Sequence, residues 1–299
     1  MIIETRNLTK RFGPTTVVDG ISLGVPEGAI VALVGANGAG KTTTLRLLMN
    51  LLQADGGDAR VLGVGSQDLR AAQYARIGYV SENTKLPLGL TVEKFFAYLR
   101  RLYPAWDVER ETHIRRQFQL PADRKLAQLS RGMRIKAALA SVLPYRPALL
   151  ILDEPLSGLD VLVRDEVLEG LLANVDETTI LISSHEIAEI EGAATHVAFM
   201  DRGRLVVQDS LEDIAVRFRD VTAGFSDEPT AGISLPANWL NGQWTGRTLR
   251  FIDTTYAGEE DLAQKLTALF GAPVHLSTQP MSLRQISKEL MRAHRGEAN

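Results

Sequence analysis

One short stretch constrains what this chain can fold into more than any other: Gly35–Thr42, which reads GANGAGKT. An apolar run of strand length, Ile30–Val34, precedes it, and a leucine-rich run of helix length, Thr43–Leu52, follows it. The stretch matches the pattern G-x-x-x-x-G-K-[ST] in the strand–loop–helix context that a phosphate-binding loop requires. Glycines leave backbone N–H groups open to phosphate oxygens, and the helix N-terminus adds unpaired donors and a positive dipole end.

The loop predicts a specific set of contacts to a nucleoside triphosphate and a metal ion. Lys41 is expected to reach the β- and γ-phosphates and to take part in catalysis, and the Thr42 hydroxyl is expected to bind Mg²⁺. The loop residues expected to contact the nucleotide are Gly35, Asn37, Gly38, Ala39, Gly40, Lys41, Thr42 and Thr43.

Composition excludes several other kinds of site. The 299-residue chain is long enough for about two domains, and it has no cysteine, which excludes disulfides, thiolate metal sites and cysteine nucleophiles. A formal net charge of -3 gives no general attraction to nucleic acid, so we expect no nucleic-acid partner. Met1–Arg6 lacks the layout of a signal peptide, and no apolar run approaches the ~20 residues that span a bilayer. Any role at a membrane is therefore expected to require a partner.

The residue pattern divides the chain into two parts. Residues 1–28 alternate short apolar runs with turn residues, which predicts short antiparallel strands. Strand and helix patterns alternate over residues 29–200, and this predicts a mostly parallel α/β sheet. Serine, glycine, proline, threonine and tryptophan then become more frequent. We expect a first domain over residues 1–219 and a small α+β accessory domain over residues 220–299.

Polar groups follow two apolar runs that predict buried parallel strands. Asp153 and Glu154 come directly after Ala148–Leu152, and His185 follows Thr178–Ile182 after two serines. Open α/β sheets bind ligands at the carboxyl ends of their strands, where these side chains are expected to meet. Two acids at the end of a buried strand are costly to place there without a function.

Phe12 and a charged helix are interpreted from their neighbours in the sequence. Phe12 lies in a hairpin ahead of the loop, and it either stacks on an adenine ring or fills the small core of that hairpin. The charged helix is capped by Asp107, and its Arg110, Arg115 and Arg116 are interpreted as a solvated face.

Further motifs follow the loop in a fixed order, and together they carry a family resemblance. In chain order they are Leu129–Met133 (LSRGM), Leu149–Pro155 (LLILDEP), Ser157–Asp160 (SGLD) and Ser183–His185 (SSH). With the loop, this set resembles the ATPase subunit of an ABC transporter over residues 1–219. The resemblance implies a P-loop NTPase fold. Its expected parts are a RecA-like core sheet, an N-terminal antiparallel β subdomain and a helical subdomain near residues 86–145, followed by the small C-terminal α+β domain.

The resemblance also implies roles for single residues. Glu154 acts as general base on the attacking water, His185 contacts the γ-phosphate, and Asp153 holds Mg²⁺. Phe12 matches the position that stacks on adenine. The family pairs two subunits head to tail, so that the signature motif of one closes over the ATP bound to the other. The residues implied at that interface are Ser130, Gly132 and Asp160.

Three residues in two motifs depart from the family pattern. Glu82 stands where the family usually has glutamine, and its carboxylate is expected to bind Mg²⁺ at the catalytic centre while it adds negative charge near the triphosphate. Arg131 and Met133 replace a glycine and a glutamine of the signature. Arg131 either faces the phosphate with its positive charge or points to solvent, and the second arrangement is slightly favoured. Such a signature resembles that of bacterial ABC subunits that work with separately encoded, export-type membrane proteins.

The motifs therefore predict an ATP hydrolase, with ATP and Mg²⁺ bound, that drives export by a separate transmembrane permease subunit. A second ATPase subunit, either an identical copy or a related chain, is the other expected partner. The expected location is cytoplasmic, peripheral on the inner face of the cell membrane. Two alternatives stay open: a soluble ABC ATPase that acts on DNA or ribosomes, and a regulatory subunit that binds nucleotide but barely hydrolyses it.

Overall fold

The computed structural model of the protein describes residues 1–175, 178–227 and 234–296. The chain forms two compact units, Met1–Gln208 and Asp209–Asn299. This division precedes the helix that starts at Leu211, whereas the sequence places the boundary after residue 219. The helix is tied to the second unit because Tyr256 N donates to Arg217 O at 3.1 Å.

Two sheets organise the described part of the first unit. Its strands, in chain order, are β1 (Ile3–Phe12), β2 (Thr15–Ile21), β3 (Gly24–Val25), β4 (Ile30–Val34), β5 (Gly56–Val61), β6 (Val64–Gly65), β7 (Ile77–Ser81), β8 (Leu149–Asp153), β9 (Thr179–Ser184), β10 (His196–Asp201) and β11 (Arg204–Ser210). The first sheet is antiparallel in the order β2-β1-β5-β6, and β3 also pairs with β1. The second has the order β11-β10-β4-β9-β8-β7.

The second sheet is parallel from β10 through β4, β9 and β8 to β7. Every residue of β8 and β9 is buried, which explains their nearly unbroken apolar runs. The register pairs Asp153 with Ser183 and Val34 with Ser184. The carboxyl ends of β4, β8 and β9 therefore meet at one edge, and the predicted α/β class is confirmed.

Capped helices connect these strands. The helices of the first unit are α1 (Lys41–Leu48), α2 (Ala71–Tyr74), α3 (Val92–Leu99), α4 (Val108–Gln117), α5 (Arg131–Ala140) and α6 (Val161–Leu172). Each of α3 to α6 begins after a side chain that accepts a hydrogen bond from the backbone N–H three residues later. These caps are Thr91, Asp107, Ser130 and Asp160. Such a cap stabilises a helix by about 1 kcal/mol because it satisfies an otherwise unpaired N–H group.

The charged face of α4 is not simply solvated. Glu111 is fully buried, and its carboxylate accepts hydrogen bonds from Arg100 at 2.6 and 2.7 Å, Trp106 at 2.9 Å and Arg115 at 3.0 Å. Burial alone would raise the pKa of Glu111, but these donors outweigh burial and lower the pKa. Arg115 also pairs with Glu93 and is 14% exposed, so its interpretation as a solvated residue is wrong.

The second unit contains an antiparallel sheet with helices. Its elements are α7 (Leu211–Arg217), β12 (Arg219–Gly224), β13 (Trp239–Thr245), β14 (Thr248–Asp253), α8 (Glu259–Phe270), β15 (His275–Pro280) and α9 (Leu283–Gly296). The strand order is β13-β14-β12-β15, and the core includes Val221, Phe251, Leu262 and Leu266. Within the described ranges of both units, no helix combines the length and apolar character needed to cross a bilayer.

Candidate active site

The phosphate-binding pattern forms a tight turn at the carboxyl end of β4. Gly38 and Gly40 take φ angles of 83° and 101°, at which a residue with a side chain would be strained. A Cβ on Gly40 would also lie 2.6 Å from Val17 O, so only glycine fits there without movement of the backbone. The helix α1 starts at Lys41, and its unpaired N–H groups therefore lie at the end of the turn.

An open cleft of about 260 Å³ lies over this turn. The residues that line it are Val17, Asn37, Gly38, Ala39, Gly40, Lys41, Thr42, Thr43, Glu82 and Glu154. Gly35, the other predicted loop contact, lies behind the cleft, and its carbonyl accepts from Lys41 Nζ at 2.6 Å. The fold thus brings two carboxylates that are distant in sequence to the predicted phosphate site.

Lys41 is held by three oxygen atoms. Its side chain is 5% exposed, and Nζ donates to Gly35 O at 2.6 Å and to Ala36 O at 3.2 Å. Glu154 Oε1 lies 3.0 Å from the same nitrogen, as an ion pair. A lysine ammonium has three protons; two of them have backbone acceptors, whereas the Glu154 contact is an ion pair in which Oε1 accepts no hydrogen bond from the described residues.

Glu154 has an unusual backbone conformation. Its φ of 51° lies in the left-handed region, which costs a non-glycine residue roughly 1–2 kcal/mol. The position is held because Glu154 N donates to Ser183 Oγ at 2.9 Å. The carboxylate thereby contacts Lys41 through one oxygen and His185 Nδ1, at 3.1 Å, through the other. Backbone strain at a residue that lines a cleft supports the hypothesis of a function there.

His185 is charged over a wider pH range than an ordinary histidine. The hydrogen bond to Glu154 raises the pKa of its imidazole, burial opposes this increase, and the negative charge of Glu189 adds to it. Glu189 is itself buried, and it pairs with Arg164 at 3.1 Å and accepts from Ser184 Oγ at 2.5 Å. The imidazole that follows β9 therefore lies in an acidic setting that favours its protonated form.

Asp153 is anchored by two hydroxyl groups. Its Oδ1 accepts from Thr42 Oγ1 and from Ser183 Oγ, each at 2.9 Å. This contact joins the first residues of α1 to the end of β8, as the predicted shared metal site requires. Ser183 has no predicted role in the sequence, although a hydroxyl at the end of the strand beside the acid is a usable signal.

The other predicted nucleotide contacts lie outside the cleft lining. Phe12 is 48% exposed, with Lys10 Nζ 5.6 Å from the centre of its ring. Ser130 and Asp160 are exposed caps of α5 and α6. Gly132 is buried, and a Cβ there would lie 2.5 Å from Val163 Cγ1, so its small size serves the packing of α5 against α6.

Two of the three residues that depart from the family pattern, Glu82 and Arg131, contact each other. Arg131 Nη2 lies 2.6 Å from Glu82 Oε1 and donates to Ser157 O at 2.6 Å. Arg131 is 47% exposed and so lies at the surface, but its guanidinium is held by these two acceptors. The pair links residues 49 apart in sequence, which no local pattern indicates.

Comparison with known proteins assigns the family. The chain matches the family model for ABC transporters over residues 18–157. It is 34% identical over 228 residues to the bacitracin transport ATP-binding protein BcrA of Enterococcus faecalis, across 74% of this chain and 73% of that protein. The chain belongs to the ATP-binding subunits of ABC transporters. A further relative of this ABC subunit is the ABC transporter ATP-binding protein YtrB of Bacillus subtilis, 30% identical over 234 residues, across 78% of this chain and 80% of that protein.

Solved structures agree with this assignment. An ATP-binding subunit of an ABC transporter aligns with a TM-score of 0.64 and 27% identity, across 72% of this chain and 92% of that chain. The dimeric bacterial ABC transporter cassette MJ0796 aligns with a TM-score of 0.61 across 70% of this chain and 98% of that chain; at 23% identity, it shows the shared fold alone. The predicted P-loop NTPase fold is confirmed, and this ABC subunit is an ATPase that binds ATP.

Proposed function

We propose that this ABC subunit couples ATP hydrolysis in the cleft to export of a substrate by a separate membrane subunit. The observation that carries the proposal is the line of contacts from Lys41 through Glu154 to His185, at 3.0 and 3.1 Å. These contacts bring a phosphate-binding ammonium, a carboxylate base and an imidazole to one cleft, and phosphoryl transfer depends mainly on such positioning.

Lys41 would bind the β- and γ-phosphates together with the backbone N–H groups of the loop. Its two hydrogen-bond acceptors, Gly35 O and Ala36 O, are backbone carbonyls of the turn, whereas Glu154 is a side-chain partner in an ion pair only. A phosphate oxygen would therefore take the place of Glu154 at Lys41, because it can accept the third ammonium proton and the Glu154 side chain can rotate away. Nucleotide binding thereby frees the carboxylate.

Thr42 and Asp153 fit a magnesium ion, because their side-chain oxygens are hard ligands that already lie 2.9 Å apart. They would hold Mg²⁺, and Glu82 in the cleft lining offers a further carboxylate. The ion would neutralise part of the negative charge of the phosphates.

Glu154 is the proposed general base. Its Oε1 is buried and accepts no hydrogen bond from the described residues, so this oxygen keeps a lone pair for a water proton. His185 Nδ1 holds the other carboxylate oxygen, which leaves Nε2 for the γ-phosphate. His185 would thus orient the base and contact the reacting group at the same time.

The proposed assembly is a head-to-tail dimer bound to the inner face of the cell membrane. Ser130 and Asp160 are exposed at the N-termini of α5 and α6, where a partner's nucleotide and loop can reach them, and Gly132 keeps these two helices close. Phe12 is exposed for stacking on adenine. The loop after Glu82 and the helix α3 would contact the membrane subunit.

The proposed export direction draws on the relatives and on the variant signature. Besides the bacitracin transport protein, the daunorubicin/doxorubicin resistance ATP-binding protein DrrA of Streptomyces peucetius is 35% identical over 218 residues. A sulfate/thiosulfate import protein of Bradyrhizobium diazoefficiens is also 35% identical over 226 residues, so the direction requires its own experiment.

Phosphate release by the purified chain tests the site. Lys41→Ala should lose turnover because the phosphate contact is lost, whereas the exposed Lys125→Ala should match the parent. Glu154→Gln should keep ATP binding, lose turnover and elute as a dimer in Mg-ATP. Normal hydrolysis by Lys41→Ala would show that the site is misassigned, and background turnover by the parent, even with its membrane subunit, would favour a regulatory role.

Inside-out vesicles that contain the co-purifying membrane subunit test the direction. ATP added outside such vesicles reaches the cytoplasmic face, so an exporter should accumulate a labelled bacitracin or anthracycline probe. Vesicles with Lys41→Ala provide the control. Faster ATP-dependent loss of a preloaded probe would show import instead.

A further inference from the structure

The ion pair between Glu82 and Arg131 joins the nucleotide cleft to the N-terminus of α5. We propose that Arg131 is a positioning residue that neutralises and holds the Glu82 carboxylate at the edge of the cleft, so that this extra acid does not repel the triphosphate. The inference rests on the proposed nucleotide site and adds a residue to it.

Glu82 is close to the proposed metal ligands. Its backbone N–H donates to Asp153 O at 2.9 Å, and its side chain lines the cleft with Thr42 and Glu154. The turn that follows is fixed because Ser81 N donates to Thr84 Oγ1 at 2.8 Å and Thr84 N donates to Ser81 O at 2.9 Å. The backbone therefore has little freedom to carry this carboxylate away from an incoming triphosphate.

Arg131 is the group that faces this carboxylate. Its Nη2 lies 2.6 Å from Glu82 Oε1 and 2.6 Å from Ser157 O. A Cβ on Gly158 would lie 2.7 Å from Arg131 Nη1, which shows that the guanidinium rests directly on that backbone. Arg134 lines a neighbouring cavity of about 260 Å³ with Glu82 and Arg131, and so adds a second positive group.

The charges of this pair explain two of the three departures from the family pattern together. A glutamine at position 82 would need no cation, and a glycine at position 131 would offer none. Here both positions are charged, with opposite sign, and the ions touch. Arg131 and Glu82 are 47% and 37% exposed, so the pair is weak enough to exchange for Mg²⁺ when the ion is present.

Nucleotide binding by variants of the full chain tests the inference, with the fluorescent analogue mant-ATP as the probe. With EDTA present, Arg131→Gln should bind mant-ATP about threefold to tenfold more weakly than the parent, because the unpaired Glu82 carboxylate then repels the phosphates. The loss should shrink as salt rises and when Mg²⁺ is supplied. Neither trend is expected if Arg131 only supports the fold.

Four variants make the test specific to the pair. Arg131→Gln combined with Glu82→Gln should return binding to within about twofold of Glu82→Gln alone, because a coupled pair is not additive. Arg131→Lys keeps the positive charge and should bind mant-ATP nearly as tightly as the parent does. It keeps the inference testable if Arg131→Gln does not fold. Arg134→Gln removes an equal charge beside the pair and should weaken mant-ATP binding less than Arg131→Gln does.

The outcomes separate this inference from the proposed function. If the parent binds mant-ATP and Lys41→Ala does not, the nucleotide site stands. Two results would then overturn the pairing role alone. One is binding of mant-ATP by Arg131→Gln in EDTA as tight as that of the parent, and the other is an equal loss of affinity when Arg131→Gln is added to Glu82→Gln. If the parent itself does not bind mant-ATP, the proposed site fails.

Discussion

Replacing Glu154 with glutamine should lower the stability of the chain before any nucleotide is added. Lys41 is 5% exposed and Glu154 is 14% exposed, so each charge has lost most of its hydration and is compensated by the opposite charge of its partner. Removing one partner of a buried ion pair costs as much as 3–5 kcal/mol. Lys41 keeps two backbone acceptors, at 2.6 and 3.2 Å, and the new amide oxygen can still accept, so we expect about 1–2 kcal/mol.

The assay is thermal unfolding in EDTA without nucleotide. For a unit of this size, about 1 kcal/mol shifts Tm by roughly 2–4 °C, so Glu154→Gln should unfold about 2–8 °C below the parent. Glu186→Gln makes the same chemical change one residue from His185, at an exposed position, and is the matched control. Saturating ATP should raise the Tm of Glu154→Gln more than that of the parent, because Lys41 no longer exchanges a carboxylate for phosphate.

The same variant has a defined pH signature. Loss of the Glu154 hydrogen bond, the main cause of the raised His185 pKa, should lower that pKa toward its ordinary value, as NMR titration would show. A histidine whose pKa is raised in the folded state stabilises the fold most at pH values below its ordinary pKa, near 6.5. This stabilisation is lost as pH rises through the pKa of the folded state. The gap in Tm between parent and variant should therefore be wider at pH 6 than at pH 9. Equal Tm values for the two chains at pH 6 would refute the contacts of Glu154 with Lys41 and His185.

Three other substitutions should have measurable effects. Glu82→Gln should keep or raise ATP turnover because glutamine is the usual residue there; complete loss in a phosphate-release assay would show that the carboxylate is required. Gly132→Ala should lower the free energy of unfolding in urea by about 1–3 kcal/mol, because its Cβ would lie 2.5 Å from Val163 Cγ1. Adding Val163→Ala should recover part of this loss, and the absence of any recovery would contradict the packing role. Glu111→Gln should lower the free energy of unfolding by about 3–5 kcal/mol in the same assay, because Arg100 and Arg115 lose a buried counter-charge. An unchanged urea midpoint would show that this network of hydrogen bonds is not formed.

Local chemistry explains what could be predicted from the sequence. The turn at Gly38 and Gly40 needs positive φ angles that glycine supplies, and the caps at Thr91 and Asp107 act on N–H groups three residues away. The apolar run of β8 predicts burial on both faces, so the acid that ends it had to lie at the sheet edge. In each case the deciding contact lies within a few residues or follows from strand direction.

Contacts across the sequence explain what could not be predicted. Arg115 looks solvated in α4 because nothing near it shows that Glu111 is buried and that Glu93 approaches from another helix. Arg131 looks solvated for the same reason, since Glu82 lies 49 residues earlier. Residue spacing indicates which face a charge occupies, but the partner on that face comes from the tertiary fold.

Lys41 also determines when the proposed base becomes available. Two of the three ammonium protons are donated to backbone carbonyls, whereas Glu154 is held only as an ion pair, so a phosphate oxygen can accept the third proton. The carbonyls of Gly35 and Ala36 belong to the turn that binds the phosphate, and moving them would break the site. Under the proposed function the phosphate oxygen would displace Glu154 from its ion pair, so the same event that seats ATP would release the carboxylate for water. A base that stays bound to Lys41 until phosphate arrives has little chance to act on anything else.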